Sequence, residues 1–405
     1  MSPRACRASI DFARLACEHG STLYSDDFFR FGSSSLPDAS SDRYPGLSDW
    51  HGPEQLSRQL SQLMEFPPQH PILFASRSAS LMKCAAKLLF RRCRNVLITD
   101  LTWPAYERIL RREQRRTGNR IHKVAVRRLM LQGKLAPSEL IERLAEQFVS
   151  LHCDGLFLPL VDNLGLHLPA PEIVSRIRSQ SELRFCVIDG AQAFRHVPLE
   201  LDLDYCDFMV AGCHKWLCAH NPMGLGILGR NSSRDYINAS IARWLKDGTV
   251  DDPLMVYSQE LITGEHFPFG ETAPILPLLT ANAAAVDALK SATEMSLEAT
   301  RRDVIECVRQ AGWTVVSPES DYASRILLIR PEHVHRSPAT ASHHLRRQLL
   351  EHQIAATTYD GSLVRLALPR SVLQSGALDH LRSALLQVVA GEPPHMTTPF
   401  AVAKA

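Results

Sequence analysis

Short apolar runs alternate with amphipathic stretches along the first 280 residues of the chain. The apolar runs predict strands at residues 70–75, 94–100, 123–129, 155–161, 185–189, 207–212 and 224–229. Stretches with apolar residues at every third or fourth position predict helices at residues 11–18, 78–91, 104–115, 137–147 and 171–180. Because apolar strands alternate with helices, the pattern predicts a parallel sheet of about seven strands that helices cover on both faces.

The pattern changes after residue 280. Helices are predicted at residues 280–293, 297–310, 339–352 and 371–389, around strands at residues 313–317, 324–330, 354–359 and 363–369. This second half is typical of a compact α+β domain. We therefore predict four parts, namely an N-terminal arm (1–50), a large domain (51–280), a small C-terminal domain (281–391) and a disordered tail (392–405).

Two of the predicted strands end on polar residues. FCVID ends at Asp189, with Gln192 three residues later, and DFMVAG is soon followed by His214 and Lys215. Polar groups at the carboxyl ends of buried strands form ligand sites at a sheet edge. A carboxylate can keep a pyridine nitrogen protonated, and a lysine amine can form a Schiff base. These are the groups that pyridoxal phosphate (PLP) needs.

The spacing of these residues resembles a known family. DGAQA at 189–193, followed by Lys215 26 positions after Asp189, is similar to the class V aminotransferase family of fold-type I PLP enzymes. Cysteine desulfurases, isopenicillin N epimerase-like proteins and kynureninases belong to it, and HKWLCA at 214–219 is most similar to the epimerase-like branch. The weaker resemblance extends from about residue 27 to about residue 388. It implies a large domain with a mostly parallel seven-stranded sheet flanked by helices, and a small C-terminal α+β domain.

The resemblance also implies a role for each motif residue. Lys215 would form the Schiff base and move protons at the substrate Cα. Asp189 would pair with the pyridine N–H, Gln192 would donate to the cofactor oxygen O3′, and His214 would bond the cofactor phosphate. Each residue has an ordinary structural alternative, such as a helix cap, a turn or a satisfied core histidine.

Four further residues would belong to the cofactor site. Arg77 and Ser78 stand where the family often has Gly-Thr-Thr, at a predicted helix start whose N–H groups could bind phosphate. Trp103 falls where the family has an aromatic residue or histidine stacked on the cofactor ring. Thr272 matches a threonine that reaches the phosphate of the neighbouring subunit's cofactor, which implies a homodimer with shared active sites.

Asp162 and Arg365 are the candidate substrate residues, and Asn163 is a candidate cofactor residue. A family asparagine that contacts O3′ or the substrate carboxylate corresponds to Asp162, with Asn163 beside it, and which of the two faces the site is open. Arg365 matches the arginine that clamps a substrate α-carboxylate. An arginine in an apolar strand is costly unless it is paired, which supports this role over that of a strand-edge residue.

The motif does not separate transamination from epimerisation or from C–S or Cβ elimination, since all begin by making the Cα–H acidic. The breadth of the family favours aminotransferase chemistry on an amino acid or an amino-acid-derived metabolite. No cysteine lies between residues 337 and 370, where desulfurases carry their nucleophile, so desulfuration by that route is not expected. A non-catalytic protein of this fold remains an alternative because the sequence departs from the family at four positions, Arg77, Asp162, Gly212 and Glu271.

Composition and charge narrow the classes of protein to which this chain could belong. The formal net charge is +2, and the arginines at 108, 111, 112, 115 and 116 have the spacing of a solvated helix face, so nucleic-acid binding is not expected. Ten cysteines without CxxC pairs indicate reduced thiols in a cytoplasmic protein, and 17 histidines without an HExxH motif do not indicate a metal site. We see neither a signal peptide nor an apolar run of ~18 residues that could cross a membrane.

Overall fold

The computed structural model describes residues 2–20, 26–36, 40–64, 70–198, 203–267, 273–290, 296–318, 321–332, 342–370, 373 and 375–390. Its strands are β1 Ile72–Ala75, β2 Asn95–Thr99, β3 Arg120–Val124, β4 Gly155–Pro159, β5 Phe185–Asp189, β6 Phe208–Gly212, β7 Gly224–Leu228, β8 Trp313–Val315, β9 Ile326–Pro331, β10 Thr357–Tyr359 and β11 Leu363–Ala367. Its helices are α1 Pro3–His19, α2 Asp26–Phe31, α3 Ser40–Arg43, α4 Pro53–Leu63, α5 Ser78–Arg92, α6 Pro104–Thr117, α7 Arg127–Leu131, α8 Pro137–Ser150, α9 Ala170–Gln180, α10 Asn231–Lys246, α11 Pro253–Thr263, α12 Ile275–Lys290, α13 Leu297–Gln310, α14 Ser342–Glu351 and α15 Ser375–Ala390.

The chain forms two compact units. The first comprises residues 1–163 and 167–292, and the second comprises residues 164–166 and 293–405. The change of unit near residue 292 falls after α12, whereas the sequence pattern placed it at residue 280. Helix α12 lies in the first unit because it packs along α1 and α4 there.

The first unit contains a seven-stranded sheet in the order β1-β7-β6-β5-β4-β2-β3. The pairs among β2, β3, β4, β5 and β6 are parallel, whereas β7 runs antiparallel to both of its neighbours. The prediction of a mostly parallel seven-stranded sheet is therefore confirmed. Because β7 is reversed, its first residue lies at the same edge as the last residues of β1 and β6.

Most strands of this sheet are apolar because both of their faces are covered. Strands β1, β4, β5, β6 and β7 are buried at every position. Helix α5 contributes Leu81, Ala85 and Leu88 to the core on one face, where they join Phe157 and Phe208 of the sheet. Two-sided burial explains why the sequence shows continuous apolar runs here and not an alternating pattern.

The prediction of one strand over residues 123–129 was wrong for all but its first two residues. Strand β3 ends at Val124, and residues 127–131 form helix α7. The Oδ1 atom of Asp100 accepts hydrogen bonds from the backbone N–H groups of Val126 (2.9 Å) and Arg127 (3.1 Å). A side chain from another segment thus satisfies the first donors of this short helix, which the local pattern did not reveal.

The amphipathic helix that the sequence predicted at residues 11–18 is longer. Helix α1 begins at Pro3 because the hydroxyl of Ser2 accepts the backbone N–H of Ala5 (3.2 Å). It packs along α12, and Ser2 donates its backbone N–H to the carbonyl of Cys218 (3.0 Å). Helices α4, α10 and α11 were not predicted from the sequence. No helix among the described residues is both long and apolar enough to pass through a membrane.

The second unit contains a four-stranded antiparallel sheet in the order β10-β11-β9-β8. Leu327 and Ile329 of β9 form its core with Val308 of α13 and Leu385 of α15. The indole N–H of Trp313 is buried and donates to the carbonyl of Leu385 (3.1 Å). This unit is the small α+β domain that the pattern after residue 280 predicted.

Candidate active site

Lys215 and Trp103 meet at the carboxyl edge of the seven-stranded sheet. Lys215 follows β6 and is half-buried, and its Nζ atom lies 5.9 Å from the centroid of the Trp103 ring. Trp103 caps α6 and remains 45% exposed, which is unusual for so large an apolar side chain. The site therefore presents an aromatic surface directly beside a primary amine.

Asp189 ends β5 with a buried carboxyl group. Its Oδ1 atom accepts the backbone N–H of Ala191 (2.9 Å). Burial raises the pKa of Asp189 to about 6, although this hydrogen bond and the positive charge of Lys215 both act to lower it. These two interactions do not offset the free-energy cost of burying the charged carboxylate, so a cationic partner would stabilise its ionised form.

Tyr106 links the aromatic surface to the start of helix α5. Its ring contacts Trp103 edge to face at a centroid distance of 5.2 Å, and its hydroxyl hydrogen-bonds the side chain of Ser78. Burial and the negative charge of Asp189 raise the pKa of Tyr106. Tyr106 was not among the residues that the sequence predicted for the site. The signal was the pair Trp103 and Tyr106, spaced by three residues at a helix start.

Gly224 allows the start of α5 to approach the lysine loop. In the sheet it pairs with Ala75 on one side and with Gly212 on the other. A Cβ atom on Gly224 would lie only 2.6 Å from the backbone nitrogen of Ser78. The first turn of α5 is therefore packed against strand β7, beside the strand that leads to Lys215.

His214 lies over the end of β6. A Cβ atom at Gly212 would be 3.5 Å from Cε1 of the His214 ring, so the imidazole folds back toward the backbone of this strand. Partial burial and the neighbouring charge of Lys215 lower the pKa of His214. His214 and Ser78 thus occupy the same part of the sheet edge, as a shared role in phosphate binding would need, whereas Arg77 caps α5 with an exposed side chain.

A buried carboxylate organises the turn between β1 and α5. Asp252 accepts the backbone N–H of Ser76 at 3.0 and 3.1 Å and its hydroxyl at 3.2 Å. It also hydrogen-bonds the side chain of Ser80, and its burial raises its pKa. Since Asp252 takes the N–H of Ser76, anion binding at this turn would fall to the later N–H groups, from Ser78 onward. No sequence signal indicated Asp252.

Gln192 is buried in the turn after β5. Its Oε1 atom accepts the indole N–H of Trp216 at 3.0 Å. Trp216 stacks in turn on His196, with ring centroids 3.7 Å apart. The two loops that carry the motif, after β5 and after β6, are therefore joined by a side-chain contact.

Both residues of the Asp162–Asn163 pair point an oxygen at one arginine. The Nη2 atom of Arg127 lies 3.4 Å from Oδ2 of Asp162 and 3.5 Å from Oδ1 of Asn163. The Asp162 carboxylate is fully buried, and the Arg127 side chain is 28% exposed. The guanidinium offsets the charge of Asp162, so this acidic residue is not an isolated negative charge at the sheet edge. Sequence reasoning did not single out Arg127, whose position depends on the cap by Asp100.

Thr272, with the neighbouring Glu271, falls outside the described residues. Arg365 lies in β11 of the second unit, where it is half-buried and pairs with Thr357 of β10 and Leu328 of β9.

The side chains at the sheet edge fit a PLP molecule. Asp189 offers a buried carboxylate for a pyridine N–H, Trp103 offers an exposed aromatic face, and Lys215 offers the amine. The first turn of α5, from Ser78 onward, offers N–H donors for a phosphate. These groups match the charged and aromatic parts of the cofactor that the sequence predicted.

Comparison with known proteins agrees with this assignment. The family model described as aminotransferase class-V matches residues 51–302. The isopenicillin N epimerase of Amycolatopsis lactamdurans is 34% identical over 101 residues, which are 25% of this chain and 24% of that protein. The matched stretch thus spans about a quarter of the length of this relative.

Solved structures share the fold at low sequence identity. A NifS-like protein has a TM-score of 0.65 at 13% identity, with 96% of each chain covered. The cystine C–S lyase C-DES, in complex with its product cysteine persulfide, has a TM-score of 0.63 at 16% identity, with 95% of this chain and 94% of that chain covered. The ureidoglycine–glyoxylate aminotransferase of Bacillus subtilis has a TM-score of 0.62 at 13% identity, with 84% of each chain covered.

These structures confirm the predicted fold of a fold-type I PLP enzyme. The family model covers more than half of the chain, including the predicted cofactor residues from Arg77 to Lys215. It supports PLP as the cofactor, as the DGAQA motif and Lys215 predicted. The chain therefore belongs to the class V aminotransferase family.

Proposed function

We propose that this protein is a PLP-dependent enzyme that acts on an amino acid or an amino-acid-derived metabolite by transaminase-type chemistry. One observation carries the proposal. The Lys215 amine lies 5.9 Å from the centroid of the Trp103 ring and interacts electrostatically with the buried carboxyl group of Asp189. An amine, an aromatic face and a buried carboxylate at one sheet edge are a poor arrangement for stability alone and a good one for holding PLP.

Each group of this cluster would hold a different part of the cofactor. Asp189 would bind the pyridine N–H, and Trp103 would cover one face of the ring. Gln192 would donate to O3′, whereas Ser78, Arg77 and His214 would bind the phosphate. When bound, PLP supplies an electron sink that makes the Cα–H of an amino acid acidic.

The reacting residue of the chain itself is Lys215. Its amine is carried on a flexible stem beside Trp103, so it can reach a substrate Cα, accept its proton and deliver that proton to another atom. The Asp189 carboxylate in the same cluster favours a positive charge nearby. We propose Lys215 as both the attachment point and the proton carrier.

Recognition of the substrate is assigned to charged groups. We propose that Arg365 binds the α-carboxylate, because its motif matches the family arginine and a guanidinium pairs bidentately with a carboxylate. Asp162 would not repel such a substrate strongly, since Arg127 lies 3.4 Å from its carboxylate. In this interpretation Asn163 supplies a neutral polar group at the same edge.

Titration of the protein with single L-amino acids, without a keto acid, tests the reaction. The PLP-loaded protein is followed by its visible absorption, with Lys215→Ala as the matched control. Transaminase chemistry predicts stable conversion of the cofactor to the pyridoxamine form, which Lys215→Ala should not catalyse. A protein that develops no cofactor band with added PLP would instead be the non-catalytic alternative.

A second candidate is an epimerase or a C–S or Cβ lyase on the same scaffold. The specific observation in its favour is the 34% identity over 101 residues to isopenicillin N epimerase. In the same titration, an absorption band that shifts and then returns as the amino acid is racemised or cleaved would favour this candidate. Chiral chromatography of the amino acid would separate epimerisation from elimination. Desulfuration is not proposed, because no cysteine lies between residues 337 and 370.

Assembly and location are further proposals. We propose a homodimer with shared active sites, in which Thr272 reaches the partner's cofactor phosphate, and a cytoplasmic location. The support is the match of Thr272 to the family threonine and the absence of CxxC pairs in the sequence. Sedimentation of the wild-type protein and of Thr272→Ala, each with and without PLP, would test the shared site.

A further inference from the structure

The residue after the candidate lysine has no role in the function described so far. Trp216 is half-buried, whereas Gln192, which lies 24 positions earlier in the chain, is buried. Their side chains meet at 3.0 Å, with the indole nitrogen Nε1 facing the amide oxygen Oε1 of Gln192. The indole N–H of tryptophan is a donor only. It therefore selects which end of the Gln192 amide faces it.

This hydrogen bond fixes the orientation of the amide. If the amide were reversed, its NH2 group would face the indole N–H, and two donors would oppose each other in a buried place. With Oε1 held by Trp216, the NH2 group of Gln192 must face another direction. Gln192 can then act as a donor and not as an acceptor toward a ligand oxygen.

A third side chain holds the indole in place. The His196 ring is buried and stacks on Trp216 at a centroid distance of 3.7 Å and an interplanar angle of 18°. The Nδ1 atom of His196 contacts the backbone carbonyl of Gln192. Since a carbonyl only accepts hydrogen bonds, Nδ1 carries the proton in this arrangement. Both carbonyl oxygens of Gln192 are therefore occupied by ring N–H groups.

The turn that carries Gln192 and His196 is itself well defined. The backbone N–H groups of Ala193 and Phe194 donate to the carbonyl of Gly190 at 2.9 and 3.0 Å. Gln192 and His196 thus move with the end of β5, whereas Trp216 moves with the lysine. The contact couples the orientation of one motif residue to the loop that carries the other.

We propose that Trp216 is a positioning residue that holds the Gln192 amide with its NH2 group toward the cofactor oxygen O3′. This inference rests on the proposed function, in which Gln192 donates to O3′. A hydrogen bond donated to O3′ withdraws negative charge that otherwise favours a proton on the neighbouring lysine-linked nitrogen. Loss of the donor should therefore raise the pKa at which the visible band of the bound cofactor titrates.

A double-mutant cycle on the PLP-loaded protein tests the proposal. Trp216→Phe removes the N–H and keeps a ring to stack on His196, and Gln192→Ala removes the donor itself. Since one unit of pKa corresponds to about 1.4 kcal/mol, roughly the net value of one hydrogen bond, Gln192→Ala should raise the pKa of the band by about one unit. Trp216→Phe should raise it by about 0.3 unit, because a freed amide that can adopt either orientation loses about a factor of two in donor strength. In the double variant Trp216→Phe should add nothing, since it acts through Gln192.

The outcomes separate this inference from its alternatives. The inference would be overturned if Trp216→Phe shifted the pKa of the band equally in the wild-type and Gln192→Ala backgrounds. It would also be overturned if Trp216→Phe caused no shift while Gln192→Ala had a clear effect. Gln192→Glu is a second variant, in which the side chain still accepts from Trp216 but cannot donate in its ionised form and adds negative charge, so it should raise the pKa of the band at least as much as Gln192→Ala. Equilibrium dialysis should show PLP affinity weakened by Trp216→Phe only when Gln192 is present. A wild-type protein without any cofactor band would refute the proposed function itself, and this inference with it.

Discussion

Asp189 should make the cofactor-free protein less stable as the pH rises. Its pKa in the folded protein is about 6, against an ordinary value of 3.8. The folded state therefore holds this proton more tightly than the unfolded state, and the resulting stability is lost as the pH rises from about 4 through about 6. At about 1.4 kcal/mol per pKa unit, the ionised carboxylate costs the folded protein ~3 kcal/mol at neutral pH and above.

Asp189→Asn removes this cost without changing the shape of the side chain. The amide oxygen can keep the hydrogen bond from the backbone N–H of Ala191. In the cofactor-free form, the free energy of unfolding of Asp189→Asn, relative to that of the wild type, should increase by ~2 kcal/mol between about pH 4.5 and about pH 8. The same substitution should weaken PLP binding by ~10- to 100-fold, because a charged partner of the pyridine N–H is lost.

Urea unfolding at a series of pH values measures the first effect, and equilibrium dialysis against PLP measures the second. Asp251→Asn is the matched control, because this aspartate is exposed in the same unit. For this control, the difference in the free energy of unfolding between Asp251→Asn and the wild type should not change with pH. A free energy of unfolding for Asp189→Asn that follows the wild type at every pH, or falls further below it as the pH rises, would refute this account of the buried carboxylate.

Four other predictions concern single positions. Borohydride reduction and peptide mapping of Lys215→Ala should find no covalently bound cofactor, and the thermal unfolding of the cofactor-free protein should be unchanged. Cofactor found on another lysine would contradict this prediction. Arg365→Ala should weaken amino-acid binding ~10- to 100-fold with PLP affinity little changed, and equal losses would make Arg365 structural. Gly224→Ala should cost ~1–3 kcal/mol in urea unfolding, because its Cβ would lie 2.6 Å from the backbone nitrogen of Ser78, and an unchanged midpoint would contradict that packing. Asp100→Ala should cost ~1–2 kcal/mol through loss of the α7 cap, with Asp100→Asn milder, and equal effects of the two would argue against capping.

The large domain could be predicted from the sequence because its elements are specified locally. Continuous apolar runs such as those that end at Asp189 and before Lys215 must be buried on both faces, and amphipathic stretches must cover them. Helix α7 could not be predicted in this way. Its first N–H groups are satisfied by Asp100, a residue 26 positions before Val126, so the local pattern over residues 123–129 continued to resemble a strand.

The residues of the candidate site likewise divide into those that the sequence revealed and those that it did not. Asp189, Gln192 and Lys215 were visible because each stands at or soon after the end of a strand, where chain order alone places side chains at the sheet edge. Tyr106, Asp252 and Trp216 were not, because their roles depend on contacts with residues distant in the chain, such as Ser76 for Asp252. No sequence period records such a contact.

The sequence by itself determined which residue types reach the edge of the sheet, since the alternation of strands and helices dictates where each strand ends. Only the tertiary structure decided their chemistry. Burial raises the pKa of Asp189, Arg127 offsets the charge of Asp162, and Trp216 orients the amide of Gln192. These effects depend on distance and desolvation, which are properties of the packed chain and not of any segment alone.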